Sequence, residues 1–199
     1  MNILVITPDG DFGCRVVAEL LSPEFTLRVI TDDPVDLPGE WREQVEVIDN
    51  TAHNVGTLRQ ALTGVGSVLW CQPSGTDLEP LASALSEAMR EAGTPRLVTV
   101  SASDYELTRN PVIISGQPAI ESILNESGAA IRHLRRNLLM EKAGFQQQER
   151  TLSLPIPGGI LAPLMVADDA VNVALRWLVR RDWEGVEELV VSGPKQVLL

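Results

Sequence analysis

Short apolar runs alternate with segments of helical spacing along most of the chain, and few folds accommodate that alternation. Asn2–Ile6, Phe25–Thr31, Val45–Ile48, Ser67–Cys71, Arg96–Ser101, Ala129–Arg135 and Glu187–Ser192 read as strands, each a short apolar or β-branched run bounded by turn signals. Between them, Gly13–Leu21, Val55–Leu62, Glu79–Ala92, Ala119–Asn125 and Asp168–Val179 carry apolar residues three and four apart, the spacing of one helix face. Thr151–Leu154 adds a short strand before a Pro-Ile-Pro-Gly-Gly loop. Strands separated by helices pair in parallel, so the pattern predicts a Rossmann-like, doubly wound α/β fold. The sheet is mostly parallel, with helices on both faces and a short C-terminal extension. The chain reads as one domain over 1–199, to which roughly 137–199 contributes a small substrate-side region.

Composition narrows the function. Of 199 residues, 16 are basic and 27 acidic, a net charge of −11. That balance opposes adsorption to nucleic acid or to an anionic membrane surface, so neither is an expected partner. Cys14 and Cys71 read as reduced core thiols, no segment reads as a signal peptide or a membrane span, and the cytoplasm is the expected compartment. His53 and His133 stand far apart without a carboxylate or cysteine at ligand spacing, so no metal site is expected.

The turn after the first strand carries the most chemistry. Ile6-Thr7-Pro8-Asp9-Gly10-Asp11-Phe12-Gly13 sits where a dinucleotide fold holds its pyrophosphate. Three glycines are expected there; Gly10 and Gly13 take the second and third places, and Thr7 stands at the first. Pro8 biases Thr7 toward extended backbone, so the turn is either reshaped or strained. Asp9 and Asp11 bring charge to the same loop. A carboxylate about 6 Å from a phosphate is opposed by about 3 kcal/mol at an effective dielectric near 20, and by less if it faces water. Asp32 lies at the end of the second strand, where an acidic residue can hold ribose hydroxyls and disfavour a 2′-phosphate. NAD(H) is therefore expected over NADP(H). Asp32-Asp33-Pro34 also reads as a plain turn.

Taken in order, ILVITPDGDFG, LRVITDDP, VEVIDNT, GVGSVLWCQP, RLVTVSAS, AIESILNESGAAIRHLRRNLLMEK, MVADDAVNVAL and ELVVSGP resemble the NmrA-like, atypical short-chain dehydrogenase/reductase family with a degenerate glycine motif. The resemblance implies an NAD(P)-binding protein. It places Asp49 and Asn50 near the adenine, Gln72 and Pro73 beside the nicotinamide, and Ser101 near the active site. The lysine of the family's later helix is Gln117 here, and the proline of its "LRP" run is Arg136. The Tyr-x-x-x-Lys pair of short-chain dehydrogenases is absent: Tyr105 and Arg109 have similar spacing, before Asn110-Pro111.

Three readings compete. In the first, a reductase acts on a small carbonyl, quinone or imine by direct hydride transfer. Gly10, Phe12 and Gly13 hold the pyrophosphate, Asp32 the ribose, Ser101 and Tyr105 orient the substrate, and Gln117, Arg135, Arg136 and Asn137 line its side. In the second, the nucleotide is a regulatory ligand without turnover. In the third, an isomerase or cyclase works without any cofactor, with Tyr105, Arg135 and Arg136 in the vacated crevice. Strand alternation puts Arg132, Leu134 and Arg136 on one face and His133 with Arg135 on the other. The arginines can grip an anionic or carbonyl substrate or pair with surface carboxylates. The four tryptophans are scattered in sequence and make no stacking platform. Trp177 and Trp183 flank Val179-Arg180-Arg181-Asp182, a subunit contact or cap, which makes a homodimer one further expectation.

Overall fold

The structure is a computed structural model. It describes residues 1–7, 10–31, 37–49, 54–72, 78–93, 95–102, 111–136, 138–139, 146–148, 151–153, 161–192 and 196–198. Seven parallel strands form the main sheet: β1 (Asn2–Ile6), β2 (Thr26–Thr31), β3 (Glu46–Asp49), β4 (Ser67–Cys71), β5 (Arg96–Ala102), β6 (Ile131–Arg136) and β11 (Val186–Val191). Their spatial order is β3-β2-β1-β4-β5-β6-β11, and every pairing is parallel. The order reverses between β1 and β4, so the expected doubly wound topology is the observed one.

Two apolar layers hold the helices to the sheet. On one face, α1 (Gly10–Leu20) and α6 (Ala167–Val179) bury Val16, Val17, Ala170, Val171, Ala174 and Leu178. Ile3, Val5, Val29, Leu69, Val98 and Leu134 meet them from the strands. On the other, α3 (Val55–Ala61), α4 (Glu79–Glu91) and α5 (Pro111–Asn125) bury Leu58, Leu81, Leu85, Met89, Ile120 and Leu124. Leu4, Ile6, Ile30, Val68, Trp70, Leu97 and Ile131 complete that layer. Odd and even positions of each strand serve opposite layers, as the two-residue period requires. β4 is buried at all five positions, which accounts for its Val-Leu-Trp-Cys run.

Several elements depart from the sequence reading. Helix α1 starts at Gly10, three residues early, because Gly10-Asp11-Phe12-Gly13 carries the two glycines of a turn. A one-turn helix α2 (Gly39–Arg42) occupies a segment without a periodic signal. Helix α5 starts at Pro111 instead of Ala119 and runs through Pro118. An interior proline removes one helical donor and is normally read as a boundary.

The C-terminal part holds more strands than expected. β7 (Leu138–Leu139), β10 (Leu161–Met165) and β12 (Gln196–Leu198) form a small mixed sheet, and β8 (Gln146–Gln148) pairs antiparallel with β9 (Thr151–Ser153). β7 follows the C-terminal end of β6, β12 follows that of β11, and β10 leads into α6. Chain connectivity therefore brings this sheet toward the C-terminal edge of the main one.

Candidate functional site

In an open α/β sheet the ligand crevice lies at the C-terminal ends of the strands, where the order reverses. Here that point lies between β1 and β4, and Thr7 stands on it. Its φ is +48°, the only positive φ of a non-glycine residue among the described residues. This corrects the extended geometry expected from the following proline. The strained alternative holds, at a cost of about 1–3 kcal/mol for a non-glycine residue in this region. Hydrogen bonds keep it there. The Thr7 amide donates to the Ile30 carbonyl at 2.8 Å, and its hydroxyl donates to the Cys71 carbonyl at 2.5 Å. Thr7 thus ties the ends of β1, β2 and β4 together and is buried.

Helix α1 begins at Gly10, three residues after Thr7 in the chain, and its N-terminus follows the C-terminal end of β1. Unpaired amides and the helix dipole make such a terminus attractive to phosphate. Gly10 and Gly13 both fall in its opening turns. Phe12 is buried in the core, so its side chain anchors α1 to the sheet and only its backbone faces a ligand role. Asp49 ends β3 and is exposed. Gln72 follows β4, its amide donating to the Val100 carbonyl at 3.1 Å, which joins the strand ends of β4 and β5. Ser101 sits buried at the end of β5. Backbone turn, helix terminus and switch point fit a dinucleotide. Asp32, Asn50, Pro73, Tyr105 and Asn137 lie outside the described residues, as do Pro8 and Asp9. Gln117 lies in α5 immediately before Pro118.

The arginines of β6 separate as strand alternation requires. Arg135 is engaged on both sides: Nη2 donates to Glu121 at 2.9 Å, and Nε donates to Glu188 at 2.5 Å. Its charge is thereby balanced within the protein, the carboxylate-pairing alternative of the sequence reading. Arg136, on the opposite face at the end of β6, is buried beside the crevice edge.

His133 lies between Thr99 and Asn125, with Nδ1 2.9 Å from Thr99 Oγ1 and Nε2 3.1 Å from Asn125 Oδ1. Burial, then the nearby Arg135 charge, lower its pKa to about 4, while Glu188 pulls the other way. It sits inside the sheet, away from the strand ends.

The sequence reading missed a cluster at the opposite edge. Arg132 lies 4.9 Å from the ring centre of Trp177 and 4.4 Å from that of Trp183. The two rings meet edge to face at 5.7 Å. Its guanidinium also donates to the carbonyls of Ile131, Gly185 and Glu184. Glu187 comes within 3.3 Å of Nε, an ion-pair approach without hydrogen-bond alignment. Trp177 and Trp183 thus meet in space around an arginine that lies some 45 residues earlier in the chain. Among the described residues no helix is long and apolar enough to cross a membrane, and no cluster of three or more histidine, cysteine or acidic side chains could hold a metal.

The chain belongs to the NAD(P)H-binding family, whose match spans residues 9–140. Solved Rossmann-type reductases and epimerases share its fold. Triphenylmethane reductase from Citrobacter sp., solved with NADP(H), superposes with a TM-score of 0.75 at 16% identity, over 100% of this chain and 72% of that one. A UDP-N-acetylglucosamine 4-epimerase from Bacillus cereus gives 0.73 at 18% identity, over 100% and 78%. MoeE5, solved with UDP-glucuronic acid and NAD, gives 0.68 at 16% identity, over 100% and 78%. At these identities the likeness establishes the fold alone. No curated protein matches the chain at a significant level.

Proposed function

We propose that the chain is an NmrA-like oxidoreductase that reduces a small carbonyl, quinone or imine in the cytoplasm, with NAD(H) preferred over NADP(H). The observation that carries this reading is the knot at Thr7. A buried residue with positive φ ties β1, β2 and β4 where the sheet order reverses, three residues before α1 begins at Gly10. Backbone strain of this kind persists where the surroundings over-determine it, and it clusters at functional sites.

The nicotinamide, when bound, supplies the hydride. The chain supplies position. The α1 terminus at Gly10 to Gly13 receives the pyrophosphate through backbone amides, and Asp32 takes the ribose hydroxyls. Asp49 and Asn50 border the adenine, and Gln72 with Pro73 the nicotinamide side. Ser101 presents a hydroxyl to the substrate oxygen or nitrogen, assisted by Tyr105. Arg136 and Asn137 at the end of β6, with Gln117, line the substrate side. Within 137–199, α6 and β11 belong to the main sheet and its helix layer, and the small sheet of β7, β10 and β12 supports a substrate-side role for the rest, because its strands connect to the C-terminal edge of the main sheet.

Calorimetric titration of nucleotide-free protein with NADH and with NADPH tests this. Micromolar NADH binding with much weaker NADPH binding is the expected result, followed by turnover in a carbonyl and quinone screen. Stronger NADPH binding overturns the Asp32 assignment. NADH binding without turnover of any class favours a nucleotide-sensing role. Failure to bind either nucleotide overturns the proposal.

A further inference from the structure

A groove opens where α1 ends and β2 begins, at the N-terminal side of the sheet and so at the opposite end from the crevice. Leu20, Leu21, Phe25 and Leu27 give it an apolar body, and Ser22, Pro23 and Gln44 complete its lining. Its volume is about 320 Å³, within the range of small-molecule pockets.

The polar groups at this groove are biased toward accepting hydrogen bonds. Gln44 Nε2 donates to the Glu40 carbonyl at 3.0 Å, which turns that amide nitrogen to the backbone and leaves Oε1 as an acceptor. The Ser22 hydroxyl can accept as well as donate. Pro23 stands four residues after Glu19, where a continuing helix would supply an amide, and proline has none. The Glu19 carbonyl at the end of α1 is thus a further open acceptor.

Charge points the same way. The C-terminal end of a helix is partially negative and is normally complemented by a basic side chain, yet the last turn of α1 has none. Glu19, Glu24, Glu40 and Glu43, on the segments around the groove, are all exposed. The cations of those segments are directed to partners of their own. The Met1 ammonium donates to the Glu24 carbonyl at 2.7 Å, Arg42 Nε to the Leu37 carbonyl at 3.1 Å, and Arg28 Nε to Glu46 at 2.8 Å.

We propose that this groove binds a small amphiphilic amine, its apolar body against Leu20, Leu21, Phe25 and Leu27 and its ammonium toward Gln44 Oε1, Ser22 and the end of α1. An ammonium brings three donors and no acceptor, which matches the groove's excess of acceptors. A carboxylate of the same size would meet acceptors and negative charge. The site is separate from the nucleotide crevice and does not depend on the oxidoreductase reading.

Amide NMR titration of the full chain tests this with three probes of one skeleton: phenethylamine, phenethyl alcohol and hydrocinnamate. Phenethylamine should shift the amide signals of Leu21, Ser22, Phe25 and Gln44, with an affinity of about millimolar for so small a ligand. It should bind about tenfold more tightly than hydrocinnamate, a preference that shrinks at high salt. Gln44→Lys places an ammonium at the groove and should weaken amine binding about fivefold or more. Gln60→Lys, the same charge change at an exposed position on α3, should leave it unchanged. Both substitutions are at exposed side chains, so their urea midpoints should match the parent's. Saturating NADH should not alter the amine affinity. Absence of shifts at these amides up to tens of millimolar amine overturns the proposal. So does equal or tighter binding of the alcohol or the carboxylate, or amine binding that Gln44→Lys leaves intact.

Discussion

Thr99 and His133 face each other across β5 and β6, and the Thr99 hydroxyl lies 2.9 Å from His133 Nδ1. On the other side Nε2 meets the Asn125 side-chain oxygen at 3.1 Å. A neutral imidazole satisfies both neighbours: Nε2–H donates to Asn125, and Nδ1 accepts from Thr99. A second ring proton would turn Nδ1 into a donor toward Thr99, inside a buried layer beside Arg135. Burial and that arginine accordingly lower the pKa from 6.5 to about 4.

Stability should therefore fall on acidification through a defined window. The unfolded chain binds a proton at this histidine near pH 6.5, and the folded chain does so only near pH 4. Between those values the unfolded state holds more protons, so stability rises with pH. The contribution is complete above pH 6.5 and lost as pH falls toward 4, a difference of about 3 kcal/mol at most. Urea denaturation of wild type and His133→Gln at pH 7, 6 and 5 measures it. The wild-type curve should slope more steeply with pH than the variant's. Parallel curves would mean that His133 titrates alike in both states.

Thr7 gives a second prediction, in which hydrogen bonding and strain pull in opposite directions. Thr7→Val keeps the β-branched shape at positive φ and removes the hydroxyl that donates to Cys71, so it should cost about 1 kcal/mol or somewhat more. Thr7→Gly loses the same bond but relaxes a backbone strain of about 1–3 kcal/mol. Thr7→Gly should therefore be the more stable of the two and lie near wild type. The order of their urea midpoints decides the matter, and Thr7→Val equal to or above Thr7→Gly would refute the account.

Arg132 gives a third. It packs against both Trp177 and Trp183 and reaches three backbone carbonyls at the start of β6 and β11. Cation–π contacts that are desolvated contribute up to about 2 kcal/mol, and hydrogen bonds from a charged donor about as much again. Arg132→Met should destabilise the protein by about 2–4 kcal/mol, read from the urea midpoint. Arg132→Lys should recover little, because an ammonium lacks the planar fork that stacks and reaches several carbonyls at once. Substantial recovery in the lysine variant would reduce the role of Arg132 to charge alone.

The seven main strands and the doubly wound class were within reach of the sequence because each strand is a short apolar run and each main helix has its own face. Signals failed where local chemistry was ambiguous. Pro118 reads as a boundary, yet α5 passes through it. Gly10 and Asp11 lack apolar side chains, so the first turn of α1 has the local pattern of a loop. Of the short strands after Arg136 the sequence shows Thr151–Ser153; the others, of two to five residues, are too short for periodicity to register. Alternation along β6 correctly divided Arg132 and Arg136 from His133 and Arg135. It could not reveal the partners of those side chains, because Glu121, Glu188, Trp177 and Trp183 are distant in sequence and adjacent only in the fold. Thr7 was legible as a missing glycine. Its bond to Cys71 spans 64 residues and leaves no local trace.

The two neighbouring arginines of β6 give the last prediction, which separates scaffold from site. Arg135 bridges Glu121 on α5 and Glu188 on β11, and Glu121 is largely buried, its side chain 13% exposed. Removing one partner of a buried pair leaves an uncompensated charge, which typically costs about 3–5 kcal/mol. Glu188 is half exposed and water can take over there, so Arg135→Met should cost about 2–4 kcal/mol, at the lower part of that range and below. Arg135→Met combined with Glu121→Gln should recover a good part of the loss, because the orphaned carboxylate is gone. Nucleotide affinity should not change in either variant, since this side chain is committed to the scaffold on the α5 face. Arg136→Met, at the crevice edge, should instead weaken the binding of an anionic substrate while sparing that of NADH. Urea denaturation and calorimetric titration of the same four proteins read both quantities. If Arg135→Met were as stable as wild type but bound substrate poorly, Arg135 would belong to the site and its carboxylate pairs would be incidental.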